Sequence, residues 1–285
     1  MPAYITEARM DLWSGVGGAL APNSQPATSG PTPHCRILLE FAFTHSQDAF
    51  AMPVLYLLPG LLCDARVWVH QCAHLADLVE CRVPDFRQCN SLDAMADVVL
   101  ADAHERFYVA GHSMGGRVAM QVLSKAPERV IKLALLDTGI HPAGNSSGEP
   151  EKRQALIDLA EREGMAALAR QWGLPMLHPD RHSDTDLVDT FFGMIESYSL
   201  DSYKGQVKAL LERPDAKPFL ARAPADTLVL CGREDTWSTP AQHEDIAAAL
   251  PDHPDVVVIE HSGHMVSMEQ PDAVTKALRD WLERE

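Results

Sequence analysis

The chain has 285 residues, 24 basic against 40 acidic for a net charge of −16, with 46% hydrophobic and 22% charged side chains. Such a length and balance describe an ordinary globular chain, able to bury one α/β core and carry an inserted subdomain. So acidic a surface repels nucleic acid and anionic lipid, arguing against both as partners, and favours neutral or apolar substrates unless a local cation overrides the field.

Residues 1–51 differ in character from the rest. The stretch 14–33 is rich in Gly, Ala, Ser, Thr and Pro, a composition that builds no core and predicts a poorly ordered extension. The run from Cys35 to Phe43 is strand-like and would pair at a sheet edge. Met52-Pro53-Val54 reads as a natural start for the folded part. The N-terminus lacks a basic region followed by an apolar core, so no secretory signal is expected, and no run of about 18 apolar residues codes a membrane span. The six cysteines, Cys35, Cys63, Cys72, Cys81, Cys89 and Cys231, contain no C-x-x-C pair. In a chain of this size they imply reduced thiols and a cytoplasmic protein.

From Met52 onward apolar β-branched runs alternate with helical stretches, which predicts a parallel sheet with helices on both faces. Strands are expected at 54–58, 79–83, 107–110, 131–136, 227–231 and 256–259. Helices are expected at 65–78, 92–104, 115–124, 241–250 and 272–282. Pro240 and Pro271 stand at helix starts, where a missing N–H costs nothing. Between Asp137 and Arg222 the alternation stops. A linker of Pro, Gly, Ser and Asn leads to helical segments near 151–163, 165–172, 185–198 and 203–213, read as a helical cap over 138–221 inserted into a core of 52–137 and 222–285. Its apolar set is Leu156, Leu159, Leu168, Trp172, Met176, Phe191, Phe192, Met194 and Tyr198. Most of these should pack on one another, while some face the carboxyl ends of the strands, where ligands bind in open α/β sheets. The pocket is therefore expected to be largely apolar.

Gly111-His112-Ser113-Met114-Gly115 follows the run Phe107 to Ala110 and precedes a helix-compatible stretch. Strand, G-x-S-x-G, helix is the context of a nucleophile elbow, a tight turn that pushes the serine hydroxyl out of the sheet. Gly is expected at both flanks because a Cβ there would collide with neighbouring backbone. Downstream, one strand-like run ends at Gly232-Arg233-Glu234-Asp235. Another leads into Glu260-His261-Ser262-Gly263-His264. Two strand ends thus deliver an acid and a base in the order Ser, Asp, His. An H-E-x-x-H motif is absent from the sequence, and no metal site is expected.

From about Met52 the chain resembles the α/β-hydrolase-fold serine hydrolases. The matching pieces are LLPGLL, GHSMGG, GREDTWSTP and HSGHMVSMEQP. The resemblance implies an α/β-hydrolase fold with an inserted cap, no cofactor, and a small-molecule ester or related acyl compound as substrate. It implies Ser113 as nucleophile, His264 rather than His261 as base, and Asp235 as the acid, with Glu234 beside it solvated. Some relatives supply the acid from the preceding strand, which keeps Asp137 as an alternative; otherwise Asp137 is a turn residue. The oxyanion hole would use the N–H groups of Leu61 and Met114. Relatives commonly carry His-Gly before the first of these, whereas this chain has Pro59-Gly60. Arg117, one helical turn after Ser113, is either a structural cation or a carboxylate clamp beside the nucleophile. S-M-G-G-R also occurs in the menaquinone-pathway synthase that eliminates pyruvate. The reaction expected is carboxylic ester hydrolysis, with carbon–carbon bond hydrolysis, lactone opening or pyruvate elimination as alternatives on the same three residues. A triad-bearing small-molecule receptor is a further alternative.

Overall fold

Four central runs, VLYLL, FYVAGH, VIKLALL and LVLCG, are apolar almost without interruption, as strands covered on both faces must be. They form β1 (Val54–Leu58), β3 (Phe107–His112), β4 (Val130–Leu136) and β5 (Leu228–Gly232). Two short strands, β2 (Glu80–Arg82) and β6 (Val257–Ile259), close the edges and are only partly buried. The computed structural model describes residues 52–144 and 148–284. The expected extension 1–51, with its strand-like run from Cys35, lies outside the described residues.

All five strand pairings are parallel, in the order β2-β1-β3-β4-β5-β6. The chain leaves β1 in one direction toward β2 and then steps back past it to β3. Right-handed crossovers therefore put α1 (Val69–His74) on one face, and α2 (Leu92–Asp102) and α3 (Met114–Lys125) on the other. Consistent with this, α1 packs on α11 (Pro271–Leu282), while α2 packs on α3. The reversal falls between β1 and β3, and open sheets of this kind bind ligands at that switch point. Leu61 follows β1 and Ser113 follows β3, so both leave the sheet at this crevice.

Between β4 and β5 the described chain contains only helices: α4 (Glu149–Glu163), α5 (Met165–Leu168), α6 (Thr185–Glu196), α7 (Leu200–Leu211) and α8 (Lys217–Leu220). Three local departures from expectation have physical causes. The helix expected at 65–78 is a 3-10 turn (Ala65–Trp68) followed by the six-residue α1, because the fully buried Trp68 leaves helical geometry at φ −119°, ψ 6°. The helix expected at 165–172 widens into a π turn over Ala169–Gly173. There a Cβ on Gly173 would lie 2.8 Å from Ile195 Cδ1, so glycine is what lets α6 approach. A short helix not expected from sequence, α10 (Val266–Glu269), follows His264; α9 (Pro240–Ala249) opens with a Thr239–Gln242 capping box.

Candidate active site

Ser113 occupies the N-cap of α3 with φ 54° and ψ −116°, a region that costs an L-residue on the order of 1–3 kcal/mol. Serine at an N-cap normally spends its hydroxyl on the helix amides; here it makes no such bond. Its backbone is held from β4 instead: Ser113 N–H donates to Leu136 O (2.9 Å), and Thr138 Oγ1 donates to Ser113 O (2.8 Å). A Cβ on Gly111 would sit 2.2 Å from Gly115 O, and one on Gly115 would sit 2.1 Å from Leu58 O. The two glycines are thus required by backbone, which cannot yield as a side chain could.

The hydroxyl so released meets an imidazole. Ser113 Oγ lies 2.8 Å from His264 Nε2, and His264 Nδ1 lies 2.8 Å from Asp235 Oδ2. A carboxylate can only accept, so Nδ1 carries the proton and Nε2 is left to accept from the serine. Asp235 is 2% exposed. Burial pushes its carboxyl up, but the charge and hydrogen bond of His264, with the N–H groups of Ser238 and Trp237, outweigh that and hold it below the usual range. The structure thus brings Ser113, His264 and Asp235 together from three separate strand ends.

Asp137 does not touch His264 in this way. It sits in the bend after β4 at φ 45°, as a turn residue would, and is fully buried, accepting from Gly232 N–H (2.9 Å) and Val266 N–H (3.2 Å). Burial, then the charge of Asp235, push its carboxyl well up. Glu234 is half-buried rather than solvated, accepting from Ser262 N–H at 3.0 Å. His261 is exposed, its ring against His178.

Leu61 and Met114 line the same cavity as Ser113 and His264, and among the described residues neither amide has a hydrogen-bond partner. Gly60 lies so close under the elbow that a Cβ would come 2.9 Å from His112 Nδ1. Several supporting residues carry no sequence signal. His112 Nε2–H donates to His264 O (2.7 Å), tying the residue before the serine to the backbone of its imidazole partner. His243 accepts from Thr138 N–H (3.1 Å). Glu269 accepts from Met265 N–H (3.1 Å) and His178 N–H (2.6 Å), and His264 N–H donates to Met176 O (2.7 Å). The His264 loop is therefore clamped to the helical insertion.

The cavity measures about 500 Å³. From the apolar set of the insertion, Leu156, Trp172, Met176 and Phe191 line it. It is not apolar throughout, however, because Arg117, Lys152, Arg153 and Arg213 also line it, with Glu149. Among the described residues Arg117 has no ion pair; its Nη2 donates to His141 O (2.7 Å). Burial, then the charge of Arg213, lower its pKa to about 9. As for metal ligation, His178, Asp180 and His261 place ligand atoms within 4.8 Å of one another. His178 Nδ1 accepts from Asp180 N–H (3.2 Å), and the other two residues are exposed. No helix among the described residues is long and apolar enough to cross a membrane.

A model described as the alpha/beta hydrolase family matches residues 55–277. The chain belongs to this family. This alpha/beta hydrolase is similar to a thermophilic esterase from Thermogutta terrifontis, with 29% identity and a TM-score of 0.72 over 81% of this chain and 89% of that one. It is 25% identical to esterase YbfF of Escherichia coli over 197 residues, 66% of this chain and 72% of the relative. It is also 28% identical over 211 residues to the dihydrolipoyllysine-residue acetyltransferase component of the acetoin cleaving system of Pseudomonas putida. That match takes in 69% of this chain and 52% of the relative, so the chain spans about half of that protein's length.

Proposed function

We propose that this alpha/beta hydrolase cleaves carboxylic esters through an acyl-enzyme on Ser113. The observation that carries the reading is the unbroken hydrogen-bonded path from Ser113 Oγ through His264 to Asp235, 2.8 Å at each step. In the first half-reaction Ser113 Oγ attacks the ester carbonyl while His264 Nε2 takes its proton. Asp235 holds the imidazole in the required tautomer and stabilises its cation. The developing oxyanion is met by the amides of Leu61 and Met114, the latter at the positive end of α3; each such donor contributes about 3–4 kcal/mol to the transition state. His264 then passes the proton to the departing alcohol. In the second half-reaction a water, deprotonated by His264, attacks the acyl carbonyl; the Oγ–acyl bond breaks, the acid departs, and His264 returns the proton to Ser113 Oγ. No cofactor is needed for these steps.

The helices α4–α8 serve in this reading as a cap, supported by their share of the cavity wall and their bonds to the His264 loop. The similarity to esterases from two bacteria supports ester hydrolysis as the reaction. We place the enzyme in the cytoplasm, in keeping with Cys63, Cys72, Cys81, Cys89 and Cys231 being free thiols. One observation favours a second reading: the buried Arg117 beside the nucleophile suits a substrate with its own carboxylate, as in pyruvate elimination.

A panel of p-nitrophenyl esters of graded acyl length, assayed with wild type and Ser113→Ala, tests the proposal. Turnover of short and medium acyl esters, lost by at least 1,000-fold in S113A, is expected. Activity that survives S113A removes Ser113 from its role. Labelling of Ser113 by a fluorophosphonate without turnover of any ester shifts the reading to the carbon–carbon or elimination chemistries, or, if ligand is bound tightly and reacts once, to a receptor.

A further inference from the structure

The protein carries a net charge of −16, yet the wall of its cavity has the opposite sign. Four cations, Arg117, Lys152, Arg153 and Arg213, face it with a single carboxylate, Glu149. That carboxylate is already engaged. Arg213 binds it through Nη1 and Nη2 at 2.8 and 2.7 Å, and Arg153 Nε donates to it at 2.8 Å. Burial pushes the Glu149 carboxyl up, but these bonds outweigh burial and hold it down at about 2. Glu149 is therefore an anion across the working range, and two arginines share its one charge.

Arg117 feels the charges of Arg213 and Glu149 but, among the described residues, shares no hydrogen bond with either. It is 9% exposed, and one guanidinium nitrogen, Nη2, is spent on the His141 carbonyl. The other, Nη1, is buried and has no hydrogen-bond partner. No ion pair to Arg117 is present among the described residues. An arginine cannot escape such a position by losing its proton as a lysine could. A buried guanidinium with unused donors and no carboxylate in direct contact is unfavourable by itself, even with Glu149 and Asp215 acting on it from a distance, and an anion delivered to it relieves the imbalance. Its position supplies the rest: Arg117 leaves the first turn of α3, four residues after Ser113, on a helix fixed to the sheet. Elsewhere the cavity wall includes the apolar side chains Leu61, Met114, Trp172, Phe191 and Leu210.

We propose that the Arg117 guanidinium, which lines the cavity, binds a carboxylate of the substrate, so that the substrates are esters with an apolar stem and a second, free carboxylate. This rests on the ester-hydrolase reading and narrows its substrate class. The guanidinium has five N–H donors, and the bond to His141 O uses one of them, which leaves donors for a carboxylate. The local field of the four cations also overrides the repulsion that the acidic surface would exert on such a substrate.

The test compares mono-p-nitrophenyl adipate with its methyl-capped neutral counterpart, of matched length and leaving group. Wild type is expected to favour the anionic probe at least 10-fold in kcat/KM. Arg117→Met should lower kcat/KM for the anionic probe at least 10-fold more than for the neutral one, chiefly through KM. Equal use of both probes by wild type, or equal loss on both in R117M, overturns the proposal. If R117M does not fold, wild type alone decides: free adipate should raise the melting temperature and compete with fluorophosphonate labelling of Ser113, and its failure to do either overturns the proposal. If neither ester is turned over, the hydrolase reading fails separately, while the adipate-induced melting shift, and its reduction in R117K, still reads the carboxylate site.

Discussion

The Leu62 amide donates to Gln206 Oε1 at 2.9 Å, across 144 residues of sequence. Leu62 has φ 58° and directly follows Leu61, whose own amide is proposed for the oxyanion hole. Gln206 is fully buried on α7, and its Nε2 donates to Phe86 O at 3.3 Å. Beside it Tyr198 OH donates to Cys63 O at 2.5 Å. Two residues of the helical insertion thus hold a strained turn of the sheet in place.

Replacing Gln206 should show this as a positioning effect. Gln206→Leu leaves the Leu62 N–H and Phe86 carbonyl unpaired in a buried place, a loss of about 1–3 kcal/mol in stability. Because the Leu61 amide then drifts from the carbonyl oxygen, kcat should fall roughly 10-fold or more while KM stays near its wild-type value. Gln206→Glu keeps the acceptor and should recover part of kcat. Steady-state kinetics beside urea denaturation separates this from simple destabilisation, which would leave kcat of the folded fraction untouched.

The two buried aspartates make opposite predictions. Asp235→Asn removes the acceptor that fixes the His264 tautomer and should lower kcat by about 10⁴-fold with the fold intact. Asp137→Asn should instead act on stability, by about 1–3 kcal/mol, through its bonds to the Gly232 and Val266 amides. Its kcat should stay within roughly 10-fold of wild type. A larger kcat loss in D137N than in D235N would reverse the assignment of the acid.

Acid should unfold the protein partly through its buried histidines. Burial, then the charge of His264, drive the His112 pKa down from 6.5 to about 3. His243 is lowered by burial as well. Between those limits the unfolded chain takes up a proton that the folded chain refuses. The stability is therefore fully present above pH 6.5 and is lost as pH falls toward about 3, by on the order of 4 kcal/mol for His112. Asp137 has the opposite sign: with its pKa raised, its contribution is present at low pH and declines as pH rises through the folded value. Chemical denaturation between pH 4 and 7 should show a shallower acid limb in His112→Asn than in wild type.

The elbow glycines should tolerate no side chain. In Gly115→Ala the new Cβ would lie 2.1 Å from Leu58 O and 2.8 Å from Pro59 O, both backbone atoms of the sheet. A shift of α3 or β1 is the only relief, so a loss of roughly 3 kcal/mol or more is expected, read as a lower melting temperature or insoluble protein. Gly139→Ala is the matched control, because its Cβ meets only Arg117 Nη2, at 3.5 Å.

Local chemistry was enough to make the sheet and its switch point legible. Continuous apolar runs specify strands buried on both faces, and G-x-S-x-G after one of them specifies an elbow, because only glycine fits where backbone passes backbone. The same reasoning, with the family resemblance to choose His264 over His261 and Asp235 over Asp137, pointed to Ser113, Asp235 and His264, each in the turn or loop that follows a strand, and the structure brings these three side chains into one hydrogen-bonded line. What it could not supply were relationships between side chains far apart in sequence. Gln206 on Leu62, Glu269 on His178, His112 on the His264 carbonyl and the buried carboxyl of Asp137 have no motif, since a polar residue facing the core looks in sequence like one facing water. The cavity shows the same limit. Four of its apolar residues, Leu156, Trp172, Met176 and Phe191, belong to the apolar set read from the sequence, whereas its cationic wall exists only because α3, α4 and the end of α7 converge, which leaves the sign of the local field to the tertiary structure.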